Sequence, residues 1–307
     1  MTRVDEHDRR LRSLDPLLPR AQPLPEPAEG EIALSVPSAA GVYRVRRLEP
    51  DSPEADERAA EVHVLEARAA GPDPVAAMAA LLDRWEEHLP ASEPADDSEA
   101  LITWPSRDTA LTSTFLSHGL VPGLILAARP AARPAGRPVP PVPEGVTVRA
   151  LRDDDLAAAV GLQLELARWN RQFGGRAPRP STEANSRRIL GARLAWPTSP
   201  WTWVAEVAGA VTGLIVVIPP DRADWVAGSV ASGPAAYVGC LVVGAGHRGD
   251  GVGAALVATA HAALDDAGVG VTLLHYYAMN PLSTPFWHRS GYRPLWTEWS
   301  RRPAGVR

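Results

Sequence analysis

The stretch Val238-Gly239-Cys240-Leu241-Val242-Val243-Gly244-Ala245-Gly246-His247-Arg248-Gly249-Asp250-Gly251-Val252-Gly253 decides the fold. Its first six residues form a short apolar run, the pattern of a buried strand. A glycine-rich turn follows, and Val252–Ala267, rich in Ala, Leu and Val, reads as a helix. Strand, glycine turn and helix together make an anion site: glycines let the backbone approach a phosphate, and the free N–H groups of the helix start point at it. Arg248 adds a fixed positive charge suited to a pyrophosphate.

Three phosphate-binding spellings compete for this loop. A Walker loop needs Gly-Lys-Ser/Thr, and the chain has no lysine. The dinucleotide fingerprint Gly-x-Gly-x-x-Gly fits Gly244–Gly249, but it precedes the helix start and lacks the acidic residue expected about 20 residues on. The third, Arg-x-x-Gly-x-Gly, is met by Arg248, Gly251 and Gly253. The plain alternative is a tight strand-to-helix turn that merely needs glycine. Downstream, Gly270–Tyr277 reads as a second buried strand, followed by Asn280, a short helix over about 283–290, and Gly291-Tyr292. Upstream, Thr202–Val207 and Val211–Ile218 read as a hairpin joined at Gly209. Val146–Arg149 reads as a first strand, and Asp153 as the N-cap of a helix to Asn170. Arg248–Gly253 with the Asn280 to Tyr292 segment resembles the GNAT acetyltransferase superfamily, and the order of elements from about 145 to 300 is similar to its fold.

Composition sets the frame. A chain of 307 residues suggests two domains, and 45% apolar content suffices for packed cores. The net charge of −5 argues against a nucleic-acid partner. A lone cysteine, Cys240, excludes an intrachain disulfide and fits a cytoplasmic location; inside the strand pattern it reads as a small core side chain. No apolar run approaches the ~20 residues of a membrane span, so no membrane partner is expected.

Pro130–Pro143 marks a boundary, since such a stretch favours extended polyproline and cannot join a sheet interior. Before it the chain repeats itself. Phe115-Leu116-Ser117-His118-Gly119-Leu120-Val121-Pro122 aligns without gaps on Trp287-His288-Arg289-Ser290-Gly291-Tyr292-Arg293-Pro294, and Leu101–Trp104 on Leu273–Tyr276. Glu61–Glu66 and Pro74–His88 then match the signature strand and its helix. The loop between them reads Arg68-Ala69-Ala70-Gly71-Pro72-Asp73-Pro74: Arg68 and Gly71 keep the spacing, but Asp73 takes the place of Gly253 and two prolines remove donors. Asp73-Pro74 is still a good helix start. The expected class is α/β (α+β): two GNAT-like domains, each a mixed, mostly antiparallel sheet flanked by helices. The expected layout is a loose segment or docking arm 1–30, a degenerate GNAT-like domain 31–129, a linker 130–144 and an acetyltransferase domain 145–307. An unrelated α/β domain is the alternative for the first half.

The resemblance implies an N-acetyltransferase that moves an acetyl group from acetyl-CoA directly to an amine, here a small-molecule amine. It implies that Leu241, Val242 and Val243 pair with the pantetheine arm along the strand edge. It further implies that Arg248, Gly249, Asp250, Gly251, Val252 and Gly253 hold the pyrophosphate, and that Asn280 contacts the pantetheine. The family's tyrosine seven residues after this Asn is Trp287 here, which cannot act as an acid but can pack against the ligand. A thiol of pKa ~8.5 leaves fairly well without one. Tyr276 and Tyr277 are candidate acids or sheet packing. His275 is the candidate base, by its intrinsic pKa, ahead of Glu206 and Glu165. Trp169, Trp196 and Trp225 fall in the variable segments and suggest an aromatic acceptor pocket, or else plain packing. No metal is expected, because no histidines or acids have ligand spacing. Trp296 and Trp299 raise a homodimer edge. The alternative function is a non-catalytic acyl-CoA sensor.

Overall fold

The computed structural model describes residues 3–91, 97–131, 142–196 and 201–305. Most of the linker expected at 130–144 therefore lies outside the described residues. The chain divides into two units. The first comprises Met1–Leu126, Tyr277–Met279 and Pro294–Arg307; the second comprises Ala127–Tyr276 and Asn280–Arg293.

In chain order the first half supplies α1 (Arg3–Leu14), β1 (Ile32–Val36), β2 (Ala39–Arg47), β3 (Glu61–Ala69), α2 (Pro74–Glu86), β4 (Ser98–Pro105), α3 (Thr112–Ser117) and β5 (Val121–Pro130). The second half supplies β6 (Val146–Ala150), α4 (Leu156–Asn170), α5 (Thr182–Leu194), β7 (Thr202–Val207), β8 (Ala210–Ile218), α6 (Asp224–Ala227), β9 (Ala235–Val243), α7 (Val252–Asp266), β10 (Val271–Tyr277), α8 (Ser283–Arg289) and β11 (Arg293–Arg301). The repeat seen in the sequence is a repeat of pairing. β1–β2 and β2–β3 are antiparallel and β3–β4 parallel. β7–β8 and β8–β9 are antiparallel and β9–β10 parallel. The second unit adds β6, antiparallel to β7, and the helix pair α4–α5.

The contiguous layout 31–129 and 145–307 differs from this division, because the last strands change places. β11 follows the second copy in sequence but pairs antiparallel with β4, from Trp296↔Pro105 to Arg301↔Ala100. The end of β5 belongs to the second unit. Long-range ion pairs select β11 for β4. Arg58 Nη2 donates to both Glu298 oxygens at 2.7 and 2.6 Å, Arg302 Nε to Glu99 at 2.6 Å, and Arg301 Nη1 to Glu86 at 2.7 Å. Trp299 stacks on Phe115 with centroids 4.9 Å apart and is buried in the first unit's core. Trp299 is thus spent inside the unit, and the dimer edge expected there loses that part of its basis.

A second correction concerns residues 1–30. Of these, 3–14 form α1, and of the two alternatives the segment departs from the loose one, being tied to the first unit. His7, Leu11, Asp15 and Leu18 are buried at spacings of four, four and three, the stripe of a packed helix and its exit. His7 Nδ1 bonds Ala69 O at 2.9 Å, and Arg10 pairs with Asp108. The Glu6 carboxylate accepts the Gly71 N–H at 3.2 Å, and Arg68 Nε donates to Gln22 O at 3.0 Å. The worn loop is therefore covered by this chain's own carboxylate. Burial pushes the His7 imidazole down from 6.5 to about 4. The unfolded state then binds the proton more tightly, so stability is full above pH 6.5 and is lost as pH falls toward 4. The loss should reach about 3 kcal/mol, read as a drop in the denaturation midpoint that His7→Gln flattens.

The worn loop keeps its helix start. Asp73 caps α2, accepting the Ala76 N–H at 2.9 Å. Counted from the helix starts, Asp73 stands opposite Gly251, not Gly253, and Gly71 (φ 78°) opposite Gly249 (φ 96°). Asp73→Ala should cost about 1 kcal/mol of stability in denaturant unfolding and leave CoA affinity unchanged.

In the second unit the expected Asp153 cap is replaced. A 3₁₀ turn spans Asp153–Asp155, and the Asp155 carboxylate accepts the Arg152 N–H at 2.9 Å while Arg149 donates to it at 2.6 and 2.9 Å. α4 and α5 cover one face of β7–β9 through Val160, Leu162, Leu190, Leu214 and Val242. On the other face α7 lies close to β8, because Gly213 has no side chain: a Cβ there would stand 2.9 Å from Leu256 and 3.1 Å from Val252.

Candidate active site

The second unit contains a cavity of about 970 Å³. It opens where two parallel strands part. β9 and β10 stay in register only from Ala235↔Val271 to Val238↔Leu274, and beyond that Leu241, Val242 and Val243 edge the cavity. On its other side β9 remains paired with β8, but with a register shift at Val216/Val217 opposite Val238–Cys240. The extra residue there is Gly239. Such a bulge kinks the strand and flips its alternation: Leu241 pairs with Ile215 and Tyr237 with Ile218, so the two point to opposite faces.

The glycine loop closes one end. Gly249 and Gly251 hold φ of 96° and 82°, a region that β-carbons disfavour, which explains two of the loop's glycines. α7 begins at Val252 with no side-chain cap, and its first backbone bond runs from Ala255 N to Gly251 O at 3.0 Å. The preceding N–H groups of the first turn therefore remain available, at the positive end of the helix dipole. A Cβ on Gly253 would meet Phe286 and Val243, both cavity-lining, at 3.5 Å. Arg129, Arg248, Arg289 and His247 also line the cavity and bias it toward anions.

Arg248 is held from three sides. Its Nε donates to Val243 O at 3.0 Å, its Nη2 to Glu165 at 2.7 Å, and its guanidinium lies 4.9 Å from the Trp169 ring centroid. Glu165 also accepts the Ala245 N–H at 3.0 Å. This removes Glu165 from the candidate bases and gives it a positioning role. It also places Trp169 in the cavity wall at the loop end, not in a separate acceptor pocket. Glu206 is likewise engaged, accepting from Arg149 Nε at 2.9 Å.

Asn280 is buried and lines the cavity. Its Oδ1 accepts the Leu282 N–H at 3.1 Å, leaving its amide NH₂ to donate. Trp287, also buried in the wall, packs edge-on against Phe286 and Tyr292 with centroids 5.1 and 5.2 Å away. His261, read as a bystander from sequence, also lines the cavity, with Nε2 3.1 Å from the Tyr292 hydroxyl. The pattern could have shown this: on α7 it lies eight residues after Gly253, about two turns along one face.

Three candidate catalytic residues fall elsewhere. Tyr276 bonds His288 Nε2 at 3.1 Å and is pushed up to about 12 by burial. Tyr277 belongs to the first unit and is also pushed up to about 12 by burial. Neither lines the cavity, and both are weaker acids than free tyrosine. His275 does not line it either; its Nδ1 lies 2.9 Å from the Tyr237 hydroxyl, and Tyr237 stands edge-on to Trp225 at 4.8 Å. Sequence reasoning passed over Tyr237, although it precedes the signature strand by one residue. Burial raises Cys240 to about 11, in keeping with a packing role.

The spacing argument did not consider one group of donor side chains in the first unit. Asp83, Glu86 and His118 bring donor atoms within 4.8 Å of one another, with Glu86 already paired to Arg301. Among the described residues no helix is long and apolar enough to cross a membrane.

The comparisons agree with this geometry. A model of the acetyltransferase (GNAT) family matches residues 165–292. A GCN5-related N-acetyltransferase from Sphaerobacter thermophilus shares the fold, with a TM-score of 0.54 at 16% identity over 88% of this chain and 78% of that one. Another from Kribbella flavida matches with a TM-score of 0.47 at 17% identity, over 90% and 91% of the two chains. A tandem GNAT protein from the clavulanic acid biosynthesis pathway matches with a TM-score of 0.45 at 16% identity, over 87% and 84%. No curated protein matches.

Proposed function

We propose that the second unit transfers an acetyl group from acetyl-CoA to the amine of a small molecule, and that the first unit binds no CoA. One observation carries this reading: an uncapped helix start and a glycine loop close a cavity that opens between two parting strands. Bound acetyl-CoA would supply an acyl group already activated as a thioester. The N–H groups of residues 248–253 and the Arg248 guanidinium suit its pyrophosphate, the edge of Leu241–Val243 its pantetheine amides, and Asn280 its polar arm. Trp287 shapes the apolar end. His275, held by Tyr237 outside the cavity wall, takes the proton of the incoming ammonium through intervening water. A cytoplasmic location accords with the single cysteine.

Calorimetric titration with acetyl-CoA tests this, followed by thiol release with a panel of amines. One site per chain and amine-dependent release are expected. Two sites would overturn the silent first unit, and no binding would overturn the whole reading. His275→Asn should lower kcat about a hundredfold and leave the Kd of acetyl-CoA unchanged. The second reading, a CoA-binding sensor, is favoured by the positions of Tyr276 and Tyr277 away from the cavity and by Trp287 in its wall. It predicts binding without thiol release for every amine.

A further inference from the structure

Within that acyl-transfer reading, we infer that the acceptor carries a carboxylate, gripped by Arg193 and Arg222 beside the β8–β9 bulge of the second unit.

Arg193 projects from α5, and its Nη1 donates to Val217 O at 3.2 Å. Its Nε is buried and has no hydrogen-bond partner among the described residues. A buried donor without an acceptor is costly and calls for an explanation. Arg222 brings a second guanidinium to the same place. The two lie 4.9 and 4.5 Å from the centroid of one indole, that of Trp196. The nearest carboxylate paired with either is Asp221, 4.0 Å from Arg222 Nε and largely exposed. Burial above all pulls Arg193 below the usual arginine range, against an opposing effect of Cys240 and with a smaller lowering by Arg222. An arginine stays charged even so, and among the described residues this cluster holds two cations against one exposed carboxylate at 4.0 Å.

The free part of Arg193 also indicates which anion. With Nη1 committed to the backbone, the Nε side of the guanidinium remains, and a planar carboxylate can take two parallel bonds there. Position gives the spacing. Val217 pairs with Val238, and Leu241, three residues further along β9, edges the cavity where the thioester is proposed to lie. Three residues of strand span about 10 Å. An amine joined to a carboxylate by a short methylene chain bridges that gap. Trp196 and Trp225, read from sequence as possible acceptor-pocket walls, thus take different parts. Trp196 orders the two arginines, and Trp225 stands on the Tyr237–His275 pair.

The test is calorimetry on the full chain, with and without saturating CoA. The probes are 4-aminobutyrate, 5-aminovalerate and 6-aminohexanoate, each against its terminal amide. At least one acid should bind tenfold or more tightly than its amide, on the order expected for a bidentate charged pair. Arg193→Gln should erase the preference, and Arg193→Lys should not restore it, because the fork is lost. Arg222→Gln, at a half-exposed position, should weaken it severalfold. Failure of every acid to bind, equal affinity for acid and amide, or a preference that survives both glutamine variants would overturn the inference. A phosphonate analogue that binds more tightly than the carboxylate would overturn the choice of anion. CoA affinity and thiol release on the same samples report the acyl-transfer reading separately. If CoA does not bind, that reading falls, and the CoA-free titrations still decide whether Arg193 takes a carboxylate.

Discussion

Arg248→Glu is expected to raise the Kd of acetyl-CoA about a hundredfold or more, to the edge of detection by calorimetry. The wild-type guanidinium lies in the cavity wall beside the uncapped start of α7, where an anion also meets the helix dipole. Hydrogen bonds to charged groups are worth about 1.5–3 kcal/mol, and reversing the charge adds repulsion to their loss. The substituted carboxylate would also face Glu165, which now holds Arg248 at 2.7 Å. Two further variants separate these effects. Arg248→Gln removes the charge without the repulsion and should fall between wild type and Arg248→Glu. Glu165→Gln keeps the cation and removes the neighbour that partly neutralises it, so affinity should hold or rise, and the salt dependence of binding should steepen. Unchanged affinity in Arg248→Glu would refute the pyrophosphate assignment.

The loop could be read from sequence because its causes are local. Gly249 and Gly251 adopt positive φ within the turn itself, and α7 starts where the apolar pattern changes period. The open edge of β9 at Leu241–Val243 came from the family resemblance, and in the structure its pairing with β10 stops at Val238↔Leu274. What sequence could not show depends on distant partners. Glu165 and Arg248 are 83 residues apart, and each alone reads as a solvated charge. The bulge at Gly239 breaks simple alternation along β9 and sets Tyr237 against His275, away from the Leu241 face. α1 escaped notice because its buried stripe includes His7, which a search for apolar periodicity passes over. The exchange of last strands was invisible for a related reason: β5 and β11 have the same local pattern, and the choice between them is made by charges far away in sequence.

Those charges support the second large effect. Glu99→Ala should destabilise the first unit by about 3–5 kcal/mol, the range for removing one partner of a buried ion pair. Glu99 is fully buried, accepts from Arg302 Nε at 2.6 Å, and has Arg58 Nη1 at 3.7 Å. Arg58 is itself largely buried and held above the usual arginine range: Glu298 and Glu99 outweigh the burial that would lower it. Without Glu99, Arg302 loses that buried bond and Arg58 keeps Glu298, while the space left by the carboxylate stays polar. The network ties β11 to its place beside β4, so the loss should appear first as exchange of the β11 amides with solvent. The thermal midpoint should fall on the order of 10 °C. Glu99→Gln keeps the shape and an acceptor oxygen and should lose less. CoA affinity offers the internal control, because the glycine loop, Asn280 and Trp287 belong to the other unit. A Glu99→Ala protein with an unshifted midpoint would mean that backbone pairing and the Trp299–Phe115 stack hold β11 without the ions.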